Sequence, residues 1–217
     1  MQVTIDGPAS SGKSTVAKII AKKLGYLYID TGAMYRILTL YCLNNKLNIN
    51  DSISVFNALE KITYETKNIG SEAHFFVNGT DVTKEIRMPD VAKNVSKVSS
   101  YPLVRKRLVD LQRQLSKNQN VVMDGRDIGT VVLPDADFKF FLTATPEVRA
   151  ERRFIENQEK GIESKLEDII QEIKARDELD STRKTSPLKK ADDAILVDTS
   201  HQSIEQVISY MMNMIQG

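Results

Sequence analysis

Apolar and polar residues alternate in "QVTID", which predicts a short strand at residues 2–6. The period then changes: "GKSTVAKIIAKKLG" sets Val16, Ile19, Ile20 and Leu24 on one helical face and closes on Gly25, a residue that helix C-termini favour. "YLYID" reads as a second strand, "TGAMYRILTLYCLNN" as a helix led by Thr31, and "SISVFNALEKI" as a shorter helix. "DVAKNVSKVSS" and "YPLVRKRLVDLQRQLSK" carry helical spacing and part before Pro102, because the residue ahead of a proline is pushed out of the helical region. "NVVMD" is a continuous apolar run ending in Asp124, as in a parallel strand buried on both faces, and "DFKFFLTA" repeats the strand signal. "TPEVRAERRFIENQ" opens with Thr145 as N-cap and Pro146 at the first helical position. "LEDIIQEIKARDELD" predicts an amphipathic helix and "AILVD" a last strand. "SIEQVISYMMNMI" predicts a C-terminal helix whose Ser203 and Gln206 are spaced as a capping box.

Strands alternating with helices imply an α/β fold of three layers, a parallel sheet covered by helices on both faces. Residues 63–88 break the alternation. "TYETKN", "HFFVNG" and "TDVTKEIR" are short runs rich in β-formers, with Asn78-Gly79 a hairpin signal, so a small antiparallel sheet is expected there as an insert. No internal repeat and no linker divides the chain.

Composition narrows this only a little. With 217 residues, 41% hydrophobic and 27% charged, the chain is expected to form one domain around one core, without a disordered tail. Thirty basic residues against 29 acidic leave a net charge of +1, which excludes nucleic-acid or membrane-surface binding by bulk charge. The single cysteine, Cys42, lies in an apolar run, rules out an internal disulfide and reads as a small buried hydrophobe. "MQVTIDGP" has no basic n-region or apolar h-region, and no run approaches the ~20 apolar residues of a membrane span, so a cytoplasmic protein is expected.

Between the first strand and the first helix stands "GPASSGKST", which spells G-x-x-x-x-G-K-S, the loop that cradles phosphates. Gly7, Pro8, Ala9, Ser10, Ser11, Gly12, Lys13, Ser14 and Thr15 are the residues expected to hold the phosphates of a nucleotide. Backbone N–H groups converge on the phosphates at a helix N-terminus, and the two glycines permit close approach. Lys13 reaches the β- and γ-phosphates, and the Ser14 hydroxyl suits Mg²⁺. Asp124, at the end of an apolar strand, is the second candidate for that ion. The loop alone does not specify a reaction, since kinases, GTPases, motor ATPases and transporters share it.

Three constellations with arginine narrow the choice. "DTGAMYR" sets Thr31, Tyr35 and Arg36 at the carboxyl end of a strand, the edge where open α/β sheets bind ligands. "DGRDIG" sets Arg126 and Asp127 in the loop after the Asp124 strand, and "ARDELDSTR" clusters Arg176, Asp180 and Arg183. Moving a phosphoryl group between two phosphorylated molecules requires holding two polyanions together, and arginine offers bidentate donors that keep their charge. No side-chain nucleophile is needed, because position and electrostatics carry the transfer.

In order and spacing, "IDGPASSGKST", "YIDTGAMYR", "VVMDGRDIGTVVLPDADFKFFL", "EIKARDELDSTRKTSPL" and "AILVDTS" make nearly the whole chain resemble the bacterial cytidylate (CMP) kinases. The resemblance implies an adenylate-kinase-like P-loop fold with a core of residues 1–30, 106–150 and 168–217. It also implies a monophosphate-binding region at 31–105 with its β insert at about 60–92, and a short mobile lid at about 151–167. It implies a monomer that transfers the γ-phosphoryl of ATP to CMP or dCMP with Mg²⁺, and neither nucleic acid nor membrane as partner. By the same resemblance Arg36 and Arg126, with Tyr35 beside them, take the acceptor phosphate. Ser96, Arg105, Asp127 and Arg183 read the cytosine, with Ser99 or Ser100 open as substitutes for Ser96. Asp180 takes the sugar hydroxyls, Arg176 approaches the transferring phosphoryl, and Arg149 and Arg153 meet ATP. Cytosine's amino donor, ring-nitrogen acceptor and carbonyl suit a carboxylate, an arginine and a hydroxyl.

Competing readings fare worse. A kinase of AMP, UMP or shikimate lacks a use for the cytosine-reading set and the insert. A GTPase needs N-K-x-D, whereas "NKLN" at Asn45 to Asn48 has no Asp, and a degenerate scaffold would have lost Lys13 or the arginines.

Overall fold

The structure is a computed structural model that describes residues 1–69 and 72–217; Gly70 and Ser71, inside the expected insert, lie outside the described residues. In chain order the elements are β1 (Gln2–Asp6), α1 (Lys13–Leu24), β2 (Leu27–Asp30), α2 (Thr31–Asn44), α3 (Ser52–Leu59), β3 (Tyr64–Ile69), β4 (Glu72–Val77) and β5 (Thr80–Asp81). They continue with α4 (Pro89–Ser99), α5 (Pro102–Ser116), β6 (Val121–Gly125), β7 (Phe138–Thr143), α6 (Pro146–Glu159), α7 (Leu166–Thr182), β8 (Ile195–Asp198) and α8 (Ile204–Gln216). The chain forms two compact units, Met1–Asp30 with Arg113–Gly217, and Thr31–Gln112.

The first unit is built on a parallel sheet in the order β2-β6-β1-β7-β8. Its central strand β1 runs in register with β6, Asp6 beside Gly125, and with β7, Asp6 beside Phe141. Successive strand side chains point to opposite faces. Val3 and Ile5 therefore enter one cluster with Val16, Ala17 and Ile20 of α1 and Val207, Met211 and Ile215 of α8. Thr4 and Met123 are fully buried as well, so the middle of the sheet is shielded throughout, as parallel sheets require. A separate small cluster, Ala150, Ile169 and Ile173, joins α6 to α7.

The second unit carries the three-stranded antiparallel sheet β3-β4-β5. Asn78 and Gly79 turn with φ of 50° and 80°, and pair Val77 with Thr80, the hairpin that the sequence signalled. Phe75, wholly buried, packs with Ile37, Val82, Ile86 and Val91. Within this unit the inserted strands and α2 bury their apolar faces on one another. The run "TDVTKEIR" also departs from expectation, with only Thr80–Asp81 a strand and Glu85–Arg87 a 3₁₀ turn. Asp81 is the physical reason. Its Oδ1 accepts from the Thr83 N–H at 2.9 Å and the Thr83 hydroxyl at 2.6 Å, a local turn that competes with the ladder.

Several local readings hold. Thr145 Oγ1 accepts from Val148 N, and Ser203 and Gln206 form the reciprocal capping box. Cys42 is buried, and burial pushes its thiol up to about 11, which keeps it an inert hydrophobe. Among the described residues, no helix is long and apolar enough to cross a membrane.

Because Phe75 fills the centre of its cluster, Phe75→Ala is expected to destabilise the protein by about 3–5 kcal/mol in equilibrium urea unfolding. A loss below ~1 kcal/mol would mean that the insert does not depend on this cluster.

Candidate functional site

β1 ends at Asp6 and the chain turns at once. Gly7 has φ 151°, and a Cβ there would lie 2.0 Å from the Leu142 carbonyl oxygen, so only glycine lets the loop leave the sheet at this point. Ser10 holds φ 58°, a left-handed conformation that costs a non-glycine residue of order 1 kcal/mol and recurs at functional loops. α1 then begins at Lys13, and no side chain among the described residues caps it at Gly12. Its first N–H groups are available to an anion.

Lys13 lies along this loop, 7% exposed, its Nζ donating to the Pro8 carbonyl at 3.1 Å. Burial, and then the repulsion of Arg126, push its ammonium down to about 7; Arg176 adds to the repulsion, while Asp124 and Asp30 oppose it. Beside it, the hydroxyls of Ser14 and Tyr28 donate to the two oxygens of Asp124, each at 2.7 Å. Asp30 lies opposite Asp124 in the β2/β6 register. Burial first, and the like charge of Asp30 second, raise the Asp124 carboxyl. Two carboxylates at adjacent strand ends with a serine hydroxyl form a hard-oxygen donor set, and their mutual repulsion is relieved by a cation. The set fits Mg²⁺.

The arginines gather around one acid. Burial alone would raise the Asp180 carboxyl, but Arg126, Arg176 and Arg183 outweigh it and hold it below the usual range. Arg126 Nε donates to Asp180 Oδ2 at 3.0 Å. Arg183 lies 3.8 Å from Asp180 Oδ1 and 3.7 Å from Asp127 Oδ1, and donates through Nε to the Ser186 carbonyl at 2.6 Å. Arg149 of α6 is almost fully buried. Its Nε donates to the Ala144 carbonyl, its Nη1 to the Ala9 carbonyl at 3.2 Å, and its fork takes Asp177 at 3.1 and 2.5 Å. It therefore braces the phosphate loop from behind. Arg153, farther along α6, is half-buried.

The second unit holds its own set. The Arg105 guanidinium lies 5.4 Å from the centre of the Tyr35 ring and donates to the Ser99 carbonyl at 3.1 Å, with both residues buried. Thr31 is buried and Arg36 half-buried on the same helix, α2. In the α4 stretch, the Ser99 hydroxyl donates to the Ser96 carbonyl and the Ser100 hydroxyl to the Lys97 carbonyl.

The structure also brings in residues that the sequence reading passed over. Asp30 and Tyr28 belong with Asp124, Asp177 with Arg149, and Arg152 with Thr199, whose hydroxyl donates to the Ser11 carbonyl. Only Asp30 left a trace in the sequence, since "YID" before Thr31 ends a strand on an acid as "VVMD" does. The others are placed by contacts between residues far apart in the chain.

The sequence profile of Cytidylate kinase matches residues 3–217. A protein of Lactobacillus johnsonii named Cytidylate kinase is 51% identical over 216 residues, covering 100% of this chain and 94% of its own. One of Bacillus cereus with the same name is 49% identical over 217 residues, covering 100% and 96%. Among solved structures, a shikimate kinase from Bacteroides thetaiotaomicron shares the fold at a TM-score of 0.51 and 11% identity, covering 100% of this chain and 99% of its own. An uncharacterized protein from Eubacterium ventriosum does so at 0.53 and 10%, again over 100% and 99%. The two structures bear on the fold alone, but the profile and the relatives extend over the whole chain, and this protein belongs to the cytidylate kinase family.

Proposed function

We propose that the protein transfers the γ-phosphoryl group of ATP to CMP or dCMP, giving ADP and CDP or dCDP, by direct in-line displacement without a covalent enzyme intermediate. One observation carries this reading beyond the family: Lys13 is buried beside Arg126 and Arg176, and burial first, with the repulsion of the two guanidinium groups added, pushes its ammonium down to about 7. Such crowding costs stability until a polyanion occupies the site. An oxygen of the acceptor phosphate attacks the γ-phosphorus as the bond to the β-phosphate oxygen breaks, and ADP leaves with that electron pair.

In this reading residues 7–15 hold the triphosphate, with Lys13 on the β- and γ-phosphates. Ser14 and Asp124, with Asp30 beside them, would hold Mg²⁺, which when bound neutralises phosphate charge. Arg126 binds the acceptor phosphate and Arg176 the transferring group. Asp127 and Arg183 read the base, and Asp180 the sugar hydroxyls. Arg149 and Arg153 serve ATP, the former by bracing Ala9. In the other unit, Arg36, Tyr35 and Thr31 are assigned to the acceptor phosphate, and Ser96 and Arg105 to the base. Ser96 is favoured over its neighbours because Ser99 and Ser100 spend their hydroxyls on backbone carbonyls.

A coupled ADP-release assay with ATP and CMP, dCMP, UMP, AMP or GMP should show fastest turnover with CMP or dCMP; a preference for AMP or GMP would overturn the assignment. Arg183→Met should raise KM for CMP roughly 5- to 150-fold, the weight of about 1–3 kcal/mol from an unpaired buried polar group, with KM for ATP nearly unchanged. Equal effects on both substrates would remove Arg183 from the base pocket.

Lys13→Met should abolish transfer and yet raise the Tm of the ligand-free protein by roughly 5 °C near neutral pH. The native ammonium, at about 7, lies below its unfolded value of 10.5, so its penalty is full below about 7 and fades as pH rises from there to 10.5. The gain should therefore be largest near pH 6 and vanish by about pH 10, as differential scanning calorimetry across that range would show. A gain independent of pH would mean that the lysine charge is not its source.

A further inference from the structure

Asp6 takes no part in the transfer proposed above, yet it is a carboxylate 4% exposed at the end of the central strand. Burying such a group is costly unless its oxygens are used. Both are used on one short segment. Oδ1 accepts from Ile128 N and Oδ2 from Gly129 N, each at 2.8 Å. These two residues open the π-helical turn Ile128–Val132, whose Val131 and Val132 N–H groups return to the Asp127 carbonyl.

The register shows what lies between. Asp6 pairs with Gly125, the last residue of β6, so the strand ladder secures the chain just before Arg126. The Asp6 carboxylate secures it again just after Asp127. Arg126 and Asp127 are thus a two-residue bridge tied at both ends to β1, one residue ahead of the phosphate loop. The junction is also tight. A Cβ on Gly129 would come to 3.1 Å from Thr4 Oγ1, 3.3 Å from Lys139 Cδ and 3.4 Å from Asp6 Oδ2.

We infer that Asp6 is a positioning residue, which by its two backbone hydrogen bonds aims Arg126 and Asp127 at the acceptor nucleotide. This rests on the reading of those two residues as acceptor contacts. The geometry favours a positioning role over general packing because both bonds fall on the residues directly after the bridge. Arg126 reaches onward to Asp180 and Asp127 to Arg183, so a displaced bridge misplaces the whole acceptor cluster.

Asp6→Asn keeps the volume but turns an N–H₂ against one of the two backbone donors. With the full-length enzyme, KM for CMP should rise at least about tenfold and kcat should fall, while the Kd for ATP measured by calorimetry without CMP stays within about twofold. Gly129→Ala, which leaves the carboxylate in place and crowds the same junction against Thr4 and Lys139, should give the same split. A KM for CMP and a kcat both within about twofold of wild type would overturn the inference, as would equal worsening of CMP and ATP binding. If Asp6→Asn fails to fold, the wild-type protein still decides: the Ile128 and Gly129 amides should exchange at least about 100-fold more slowly than in an open loop, and rapid exchange would overturn the inference. A wild type that neither binds nor phosphorylates CMP sinks the functional reading and this inference with it. A wild type that does both, with a variant of unaltered CMP affinity, sinks the positioning role alone.

Discussion

Charges taken out of water at the carboxyl edge of the parallel sheet are the constraint around which the first unit is organised. Asp6, Lys13, Asp30, Asp124, Asp127, Arg149 and Asp180 are all buried there. A lone buried charge is prohibitive, and the arrangement persists because each is set against a neighbour or a backbone donor. Asp180 lies among Arg126, Arg176 and Arg183; Arg149 grips Asp177; Asp6 takes two amides. The balance is incomplete at Lys13, where Arg126 and Arg176 repel the ammonium, and between Asp30 and Asp124, where like charges face each other. The two imbalances are opposite in sign and adjacent, so that the acids partly offset the repulsion felt by Lys13, and Lys13 in turn partly offsets the burial of Asp124.

Around these charges the loop between β1 and α1 is held by contacts of its own. The brace from Arg149 to Ala9 and the tie from Thr199 to the Ser11 carbonyl hold the phosphate loop in shape without help. At the start of α1 no side chain among the described residues caps Gly12, and Ser10 is held in a left-handed conformation. A braced frame around closely set charges is the form that electrostatic preorganisation takes, because little of the protein has to reorient when charge arrives.

The second unit obeys a different rule. Its strands and α2 close on Phe75, Ile86 and Val91, a core of its own, and its polar anchors are local, such as Asp81 to Thr83 and Asn78 to Thr63. The buried stack of Arg105 on Tyr35 brings a cation from α5 to an aromatic on α2 and gives this unit a charged group of defined orientation. The arginine is thereby aimed without an acid beside it in the sequence.

Much was determined by the sequence alone, wherever the physics is local. Strand and helix periods, the caps at Thr145 and Ser203, the turn at Asn78-Gly79 and the phosphate loop each depend on residues within a few positions of one another. The spacing of "DGRDIG" and "ARDELDSTR" already marked the arginines. What only the tertiary structure decided are the meetings across long separations: Asp30 beside Asp124, Asp177 under Arg149, Asp6 beneath Ile128 and Gly129, and the closing of α2 on the strands of the insert. Burial and charge pairing are properties of neighbours in space, and the strand order β2-β6-β1-β7-β8, which makes residues more than ninety positions apart adjacent, is set by the packing of the whole chain.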